Sequence, residues 1–127
     1  MVRNVALLVG GLLVAMATTA HGHHPLAEYR EGESQTLKGT LAELVLRNPH
    51  SVVYLDVQGS GNGAQRWTVE WVAALELKRH GVTADTLKLG DSLLITGWPA
   101  KDSNNRRLWL RTMTRPADGW RWTGGFE

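Results

Sequence analysis

The chain of 127 residues contains no cysteine. This absence excludes disulfide bonds, thiolate nucleophiles and thiolate metal ligands. Any metal ion would therefore be bound through nitrogen and oxygen atoms, which disfavours a Cu(I) site. The sequence also lacks a run of carboxylates that could supply the oxygen ligands that Ca²⁺ prefers.

The chain has little excess charge of either sign. Its formal net charge is +2, and Arg3 is the one charged residue among residues 1–22, so the remainder carries +1. A balance this close to neutral provides no broad basic field for nucleic acid. We therefore do not expect a nucleic-acid partner, although the chain does contain arginines near Trp109, at positions 106, 107, 111 and 115.

Long apolar runs are absent except near the start of the chain. Residues 5–17 are apolar, follow Arg3 and precede small residues, which is the pattern of a secretory signal peptide. The run is shorter than the roughly 20 residues of a membrane-spanning helix. We predict a signal peptide at residues 1–22, a mature domain at 23–127 with no membrane span, and a periplasmic or secreted location.

Two cleavage points satisfy the small-residue rule, one after Ala20 and one after Gly22. Cleavage after Ala20 gives a chain that begins His21-Gly22-His23, whose amine, amides and imidazole suit a square-planar Cu(II) or Ni(II) ion. Cleavage after Gly22 gives a chain that begins His23-His24-Pro25. Pro25 has no amide proton to lose, so the amine and two imidazoles would be the ligands.

The hydrophobic pattern predicts a small β-domain. Alternating residues indicate five strands, and a run of helix-forming residues lies between the third and the fourth. Gly39 lies within the first strand, where it suggests a bend that lets one strand serve two sides of a barrel. The predicted strands cover residues 35–46, 50–58, 65–71, 92–98 and 107–115, the helix covers 72–80, the lead-in at 25–34 is extended, and residues 116–127 form a tryptophan-rich tail.

This order of elements is that of a five-stranded Greek-key barrel of the OB type, an all-β fold with one short helix. Several motifs also give the chain a family resemblance. The motifs are His23-His24, Asn48-Pro49-His50, Trp67-Thr68-Val69-Glu70, Arg79-His80-Gly81-Val82 and Leu87-Lys88-Leu89-Gly90-Asp91. With these motifs the chain resembles a family of small exported bacterial proteins of unknown function. The resemblance implies export and an OB-like barrel, and it implies no enzyme class.

Four of the five histidines lie in two short segments. His21, His23 and His24, together with His50 after the strand-breaking Asn48-Pro49, could form an open nitrogen site for Cu(II) or Zn(II). The alternative is that the first three are merely polar residues near the leader, and that Asn48-Pro49-His50 makes a tight corner in which the asparagine side chain bonds the backbone. The fifth, His80, is expected to cap the end of the helix.

The tryptophans suggest a second kind of site. Trp67 and Trp71 share the inward parity of Val69 and are predicted to lie in the core. The other four, with Arg111, could line a groove for a protein or glycan partner. Alternatively, the tail folds back and covers an open end of the barrel. These candidate partner-binding residues are Trp98, Trp109, Arg111, Trp120 and Trp122.

No catalytic constellation is visible in the sequence. Asp56 and Glu70 fall on outward strand positions, and nothing near them in sequence would raise their pKa values for acid–base catalysis. Our leading hypothesis from sequence is a non-enzymatic exported protein that binds Cu(II) or Zn(II) through its N-terminal histidines. The competing hypothesis is an interaction module without metal, which uses the barrel face and the tail.

Overall fold

The structure, a computed structural model, describes residues 25–124. Six strands and two short helices follow one another along these residues. The described part begins with a 3-10 helix, Pro25–Glu28, where an extended lead-in was predicted. The strands are β1 (Gln35–Val45), β2 (Ser51–Gln58), β3 (Ala64–Trp71), β4 (Ser92–Pro99), β5 (Arg107–Arg115) and β6 (Trp120–Thr123), and the α-helix α1 (Ala74–Arg79) lies between β3 and β4.

The first five strands close into a barrel, which confirms the predicted fold class. The sheet order is β3-β2-β1-β4-β5-β6, and a parallel pairing between β3 and β5 joins its two sides. In that pairing Thr68 lies opposite Arg107 and Glu70 lies opposite Trp109. Together with a helix between the third and fourth strands, this is the topology of an OB-type barrel. No helix within residues 25–124 is long and apolar enough to span a membrane.

Strand β1 is shared between the two sides of the barrel. Residues 35–40 pair with β4, whereas residues 39–45 pair with β2. Gly39 belongs to both pairings, and a Cβ atom at this position would lie 2.5 Å from the carbonyl oxygen of Asp56. The close approach of the two backbones therefore requires glycine here, as the predicted bend suggested.

The core fills the barrel and continues under the C-terminal hairpin. Strand β6, which was predicted only as a tail, pairs with β5 along residues 112–115, next to the stretch of β5 that pairs with β3. The largest fully buried side chains include Trp71, Leu77, Ile95, Leu108 and Met113. Trp122 of β6 belongs to the same core, with its indole ring edge-on to that of Trp71 at 5.2 Å.

Candidate functional site

The Asn48-Pro49-His50 segment forms the tight corner between β1 and β2. The Asn48–Pro49 peptide bond is cis, and the Asn48 side-chain oxygen accepts a hydrogen bond from the Leu75 amide at 3.2 Å. The Arg47 side chain donates to the His50 carbonyl oxygen at 3.2 Å, and the buried Ser51 hydroxyl donates to the Arg47 carbonyl. These bonds fix the backbone of His50 at the end of the barrel where α1 begins.

The His50 imidazole packs against Trp109. The two ring centroids are 5.1 Å apart and the rings are nearly perpendicular. Trp109 reaches this position because β5 pairs with β3, where it lies opposite Glu70, while Ser51 of β2 lies opposite Trp71 of β3. Closure of the barrel thus brings together two residues that are 59 positions apart.

A cleft of about 790 Å³, here called the His50 cleft, opens beside this contact. It lies between the 48–50 corner, the helix α1 and the β5–β6 hairpin. Its lining combines buried indole rings, two imidazoles, one guanidinium, one carboxylate and two threonine hydroxyls. The lining residues are Pro49, His50, Val72, Ala73, Glu76, His80, Trp109, Leu110, Arg111, Thr112, Trp122, Thr123 and Gly124.

Three of the five predicted partner-binding residues line this cleft, namely Trp109, Arg111 and Trp122. Only 2% of Trp109 and 8% of Trp122 remain exposed, so their rings form a floor and not a projecting platform. Trp98 adjoins the cleft indirectly, because the Arg111 guanidinium lies over its ring at 4.5 Å. The packing of Trp122 into the core agrees with the alternative in which the tail covers one end of the barrel.

Trp120 lies apart from the cleft, in a cluster around Arg115. The Arg115 guanidinium lies 5.6 Å from the Trp120 ring and forms ion pairs with Asp91 and Asp118, each at 2.8 Å. The Lys88 amide and then Arg115 hold the pKa of Asp91 below its ordinary value, and Arg115 does the same for Asp118. The same two carboxylates raise the Arg115 pKa. The charges of this cluster are therefore paired with one another, and they connect the β5–β6 hairpin to the residue before β4.

A second set of paired charges lies under the N-terminal segment. Arg107 forms ion pairs with Glu70 and Glu28 and lies 5.8 Å from the centroid of the Tyr29 ring. Tyr29 is 1% exposed, and its hydroxyl has no hydrogen-bond partner of good geometry within residues 25–124. Burial, followed by the nearby Glu70 carboxylate, raises the pKa of Tyr29 above its ordinary value, and the Arg107 cation opposes this only in part.

Asp56 and Glu70, the two carboxylates considered for acid–base chemistry, belong to separate ion pairs. Asp56 accepts hydrogen bonds from Nε and Nη2 of Arg66, at 2.8 and 2.9 Å, which lowers the Asp56 pKa. Glu70 is paired with Arg107. Each carboxylate is thus held by its own arginine, and the two do not form an acid pair.

The candidate metal ligands are only partly described by the structure. His21, His23 and His24 lie outside the described residues, whereas His50 lies at the cleft. Within residues 25–124, no group of three histidine, aspartate or glutamate side chains is arranged to hold a metal ion. His80 also lines the cleft, and its ring nitrogen Nδ1 lies 3.0 Å from the Glu76 carbonyl oxygen at the helix end, in agreement with the expected capping role.

Sequence reasoning missed Glu76, Thr112 and Thr123 as lining residues and did not connect His80 with His50. A signal for β6 was present, because Pro116, Asp118 and Gly119 form a typical turn before the alternating Trp120-Arg121-Trp122. No comparable local signal exists for the cleft, whose walls come from four separate parts of the chain.

Comparison with known proteins places most of the chain in one family. The model of a family of unknown function (DUF6152) matches residues 10–109, which is 100 of the 127 residues. The match ends within β5 and leaves β6 outside it. No curated protein and no solved structure matches the chain.

Proposed function

The chain belongs to this family of unknown function, and we propose that it is an exported, non-enzymatic binding domain whose ligand site is the His50 cleft. The observation that carries the proposal is the composition of the cleft. Ligand pockets usually have volumes of roughly 300–1,000 Å³, an apolar or aromatic floor and a few convergent polar groups. The His50 cleft has about 790 Å³, two indole rings at its floor, and His50, His80 and Arg111 at its walls.

The residues around the cleft support binding better than catalysis. Binding requires shape, an apolar floor and donors, all of which the cleft has. Catalysis of acyl or phosphoryl transfer would require a nucleophile with a base beside it. The one carboxylate of the lining, Glu76, lies 3.7 Å from Arg79 and 3.5 Å from His80 on its own helix. We therefore propose a site that holds a small molecule or a short segment of a protein or glycan.

Filling the cleft is the direct test. Ala73 lines it at the start of α1, where its backbone has φ −56° and ψ 146°, a conformation that any residue adopts. We expect Ala73→Trp to block ligand entry. The matched control is Ala64→Trp, at an exposed position at the start of β3. Isotope-labelled protein would be titrated with a library of small soluble fragments while backbone amide shifts are recorded by NMR.

The expected result is that binding fragments shift the amides of residues 109–112 and 122–124. These shifts should be lost in Ala73→Trp and kept in Ala64→Trp. Fragments that bind elsewhere on the barrel, or that shift the same amides equally in both variants, would contradict the proposed site.

A second candidate function is Cu(II) or Zn(II) binding by His21, His23 and His24 together with His50. Its support is that Trp109 contacts both His50, at 5.1 Å, and Tyr29, at 5.9 Å. The Tyr29 ring is therefore within about 11 Å of the His50 imidazole. The histidine segment, residues 21–24, directly precedes the 3-10 helix Pro25–Glu28, whose four residues span about 8 Å and end next to Tyr29. Trp109 thus links the part of the chain that follows this segment to His50.

Native mass spectrometry of the protein recovered from cells that express the full chain would test this candidate. The mass reports whether the mature chain begins at His21 or His23, and the addition of one equivalent of Cu(II) or Zn(II) reports metal binding. We expect a stoichiometric adduct that disappears in the His23→Ala/His24→Ala variant, weakens in His50→Ala and persists in the control His80→Ala. An unaltered polypeptide mass in the presence of either metal would contradict it, and so would an adduct that the double variant retains.

A further inference from the structure

Arg111 occupies a special position in strand β5. Thr96 of β4 pairs with Thr112 and the next residue, Gly97, pairs with Leu110, so Arg111 is the extra residue of a β-bulge. A Cβ atom on Gly97 would lie 2.1 Å from the Trp109 carbonyl oxygen. Only glycine therefore permits this close approach of the two backbones. Bulges redirect a side chain and are frequent beside binding sites.

The Arg111 side chain is oriented by an aromatic ring and not by a carboxylate. Its guanidinium lies over the Trp98 ring at 4.5 Å, a cation–π arrangement that leaves the N–H groups at the edge of the guanidinium available as donors. Arg107 and Arg115, its neighbours on the same strand, each pair with two carboxylates. Arg111 forms no ion pair within residues 25–124.

The other polar groups of the cleft also favour an anion. The imidazole of His50 and the hydroxyls of Thr112 and Thr123 can each donate a hydrogen bond. The one carboxylate in the lining, Glu76, already has two positively charged or potentially charged neighbours on its own helix. An unpaired guanidinium with planar, parallel donors is the group best suited to a carboxylate or a phosphate.

We propose that Arg111 is the anion-binding group of the His50 cleft and that the ligand is a small organic oxyanion, a carboxylic acid or a phosphate ester. This inference rests on the proposed function of the cleft as a ligand site, and it names the chemistry of the ligand. The oxyanion lies at Arg111, and the apolar part of the molecule lies against Trp109 and Trp122. The volume of about 790 Å³ exceeds that of an inorganic ion, which is why the ligand is an organic molecule.

The test uses three probes with one ring and different substituents, namely benzoate, phenyl phosphate and the neutral benzyl alcohol. NMR titration of the isotope-labelled protein gives the Kd of each probe and the amides that it shifts. We expect at least one acidic probe to bind at least about tenfold more tightly than benzyl alcohol, since a hydrogen-bonded charge contributes that much. Comparison of benzoate with phenyl phosphate shows which oxyanion the cleft prefers.

Variants at position 111 test whether Arg111 is the group that causes the preference for acidic probes. Arg111→Gln should remove the preference for the acidic probes over benzyl alcohol, and Arg111→Lys should restore part of it. Arg121→Gln is the matched control, because Arg121 is exposed on β6 and does not line the cleft. Amide spectra of each variant establish that the barrel is folded.

Equal Kd values for acidic and neutral probes in the wild-type protein would overturn the inference. An unchanged preference in Arg111→Gln would do the same, as would acidic probes that fail to bind at all. In each of these cases, fragments that still shift the cleft amides would leave the proposed ligand site standing, whereas fragments that bind elsewhere would remove both.

Discussion

Trp109 connects parts of the chain that lie far apart in sequence. Its ring contacts Tyr29 of the N-terminal segment and His50 of the β1–β2 corner, and its backbone lies opposite Glu70 of β3. It is 2% exposed, so nearly all of its surface is covered by other residues. The position of the His50 imidazole at the cleft therefore depends on how Trp109 is packed.

Tyr29 yields a prediction at the scale of one residue. Its hydroxyl is buried without a partner in residues 25–124, which costs free energy that a phenylalanine would not incur. We expect Tyr29→Phe to leave the free energy of unfolding at neutral pH unchanged or to raise it by about 1 kcal/mol. Denaturant unfolding curves of the two proteins would measure the difference, and a loss of more than about 1 kcal/mol would contradict it.

The same substitution tests the raised pKa of Tyr29. Because the folded-state pKa lies above that of the unfolded chain, the folded state favours the protonated phenol. The penalty falls on the tyrosinate, so it is absent below about pH 10 and lowers the stability of the folded state as the pH rises from there through the folded-state pKa. The wild-type free energy of unfolding should thus fall with pH by up to about 1.4 kcal/mol per unit more steeply than that of Tyr29→Phe.

Ultraviolet absorbance provides an independent check of the phenol. The difference between the alkaline titrations of wild type and Tyr29→Phe isolates the tyrosinate signal of Tyr29. We expect this signal to appear only as the protein unfolds. A signal that appears in the folded protein near the ordinary tyrosine pKa of about 10 would show that burial and the Glu70 carboxylate do not raise the pKa of the phenol as described.

At the scale of elements, β6 is short but contributes a large side chain to the core. Trp122 packs edge-on against Trp71 and is 8% exposed, whereas its neighbour Arg121 is exposed. Its indole also forms part of the floor of the His50 cleft. This four-residue strand therefore both closes the core and shapes the cleft.

Truncation of the Trp122 side chain should therefore destabilise the folded protein. We expect Trp122→Ala to lower the free energy of unfolding by about 3–5 kcal/mol, as for other buried aromatic residues. Arg121→Ala should change it by less than about 0.5 kcal/mol. Urea unfolding of both variants would compare them, and similar stabilities would mean that β6 is not part of the core.

The elements differ in how far local sequence predicts them. Alternation of apolar residues over eight or more positions located β1, β2 and β5 to within about one residue. The α-helix was predicted at 72–80, which begins two residues before α1 and ends one residue after it. Strand β6 was missed although a turn precedes it, because an alternation over four residues is too short to distinguish a strand from a tail. The helix at Pro25–Glu28 was missed because one 3-10 turn has no period.

The site was less predictable than the fold, for a physical reason. His50, Trp109, Arg111 and Trp122 were each singled out from local features, but for two unrelated roles. Their shared cleft arises from the parallel β3–β5 pairing and from the β5–β6 hairpin, which are long-range contacts. Residue types indicate which side chains can bind a ligand, whereas only the closed barrel brings them to one place.

At the scale of the whole molecule, the arginines differ in their partners: several are paired with carboxylates, whereas the arginine of the cleft is not paired with any in the described part of the chain. Arg66, Arg107 and Arg115 are paired with carboxylates, and these pairs connect neighbouring strands or join a strand to a loop. Arg111, the one arginine of the cleft lining, has an aromatic partner instead. The His50 cleft thus combines an apolar floor with a cation that has no carboxylate partner within residues 25–124.

The most direct test of the His50 cleft as a ligand site is a set of intermolecular nuclear Overhauser effects between benzoate and the protein. We expect effects from the benzoate ring to the indole protons of Trp109 and Trp122, with the His50 ring at the edge of the bound probe. Effects confined to the exposed apolar side chains outside the cleft, Leu89 and Leu94, would contradict it.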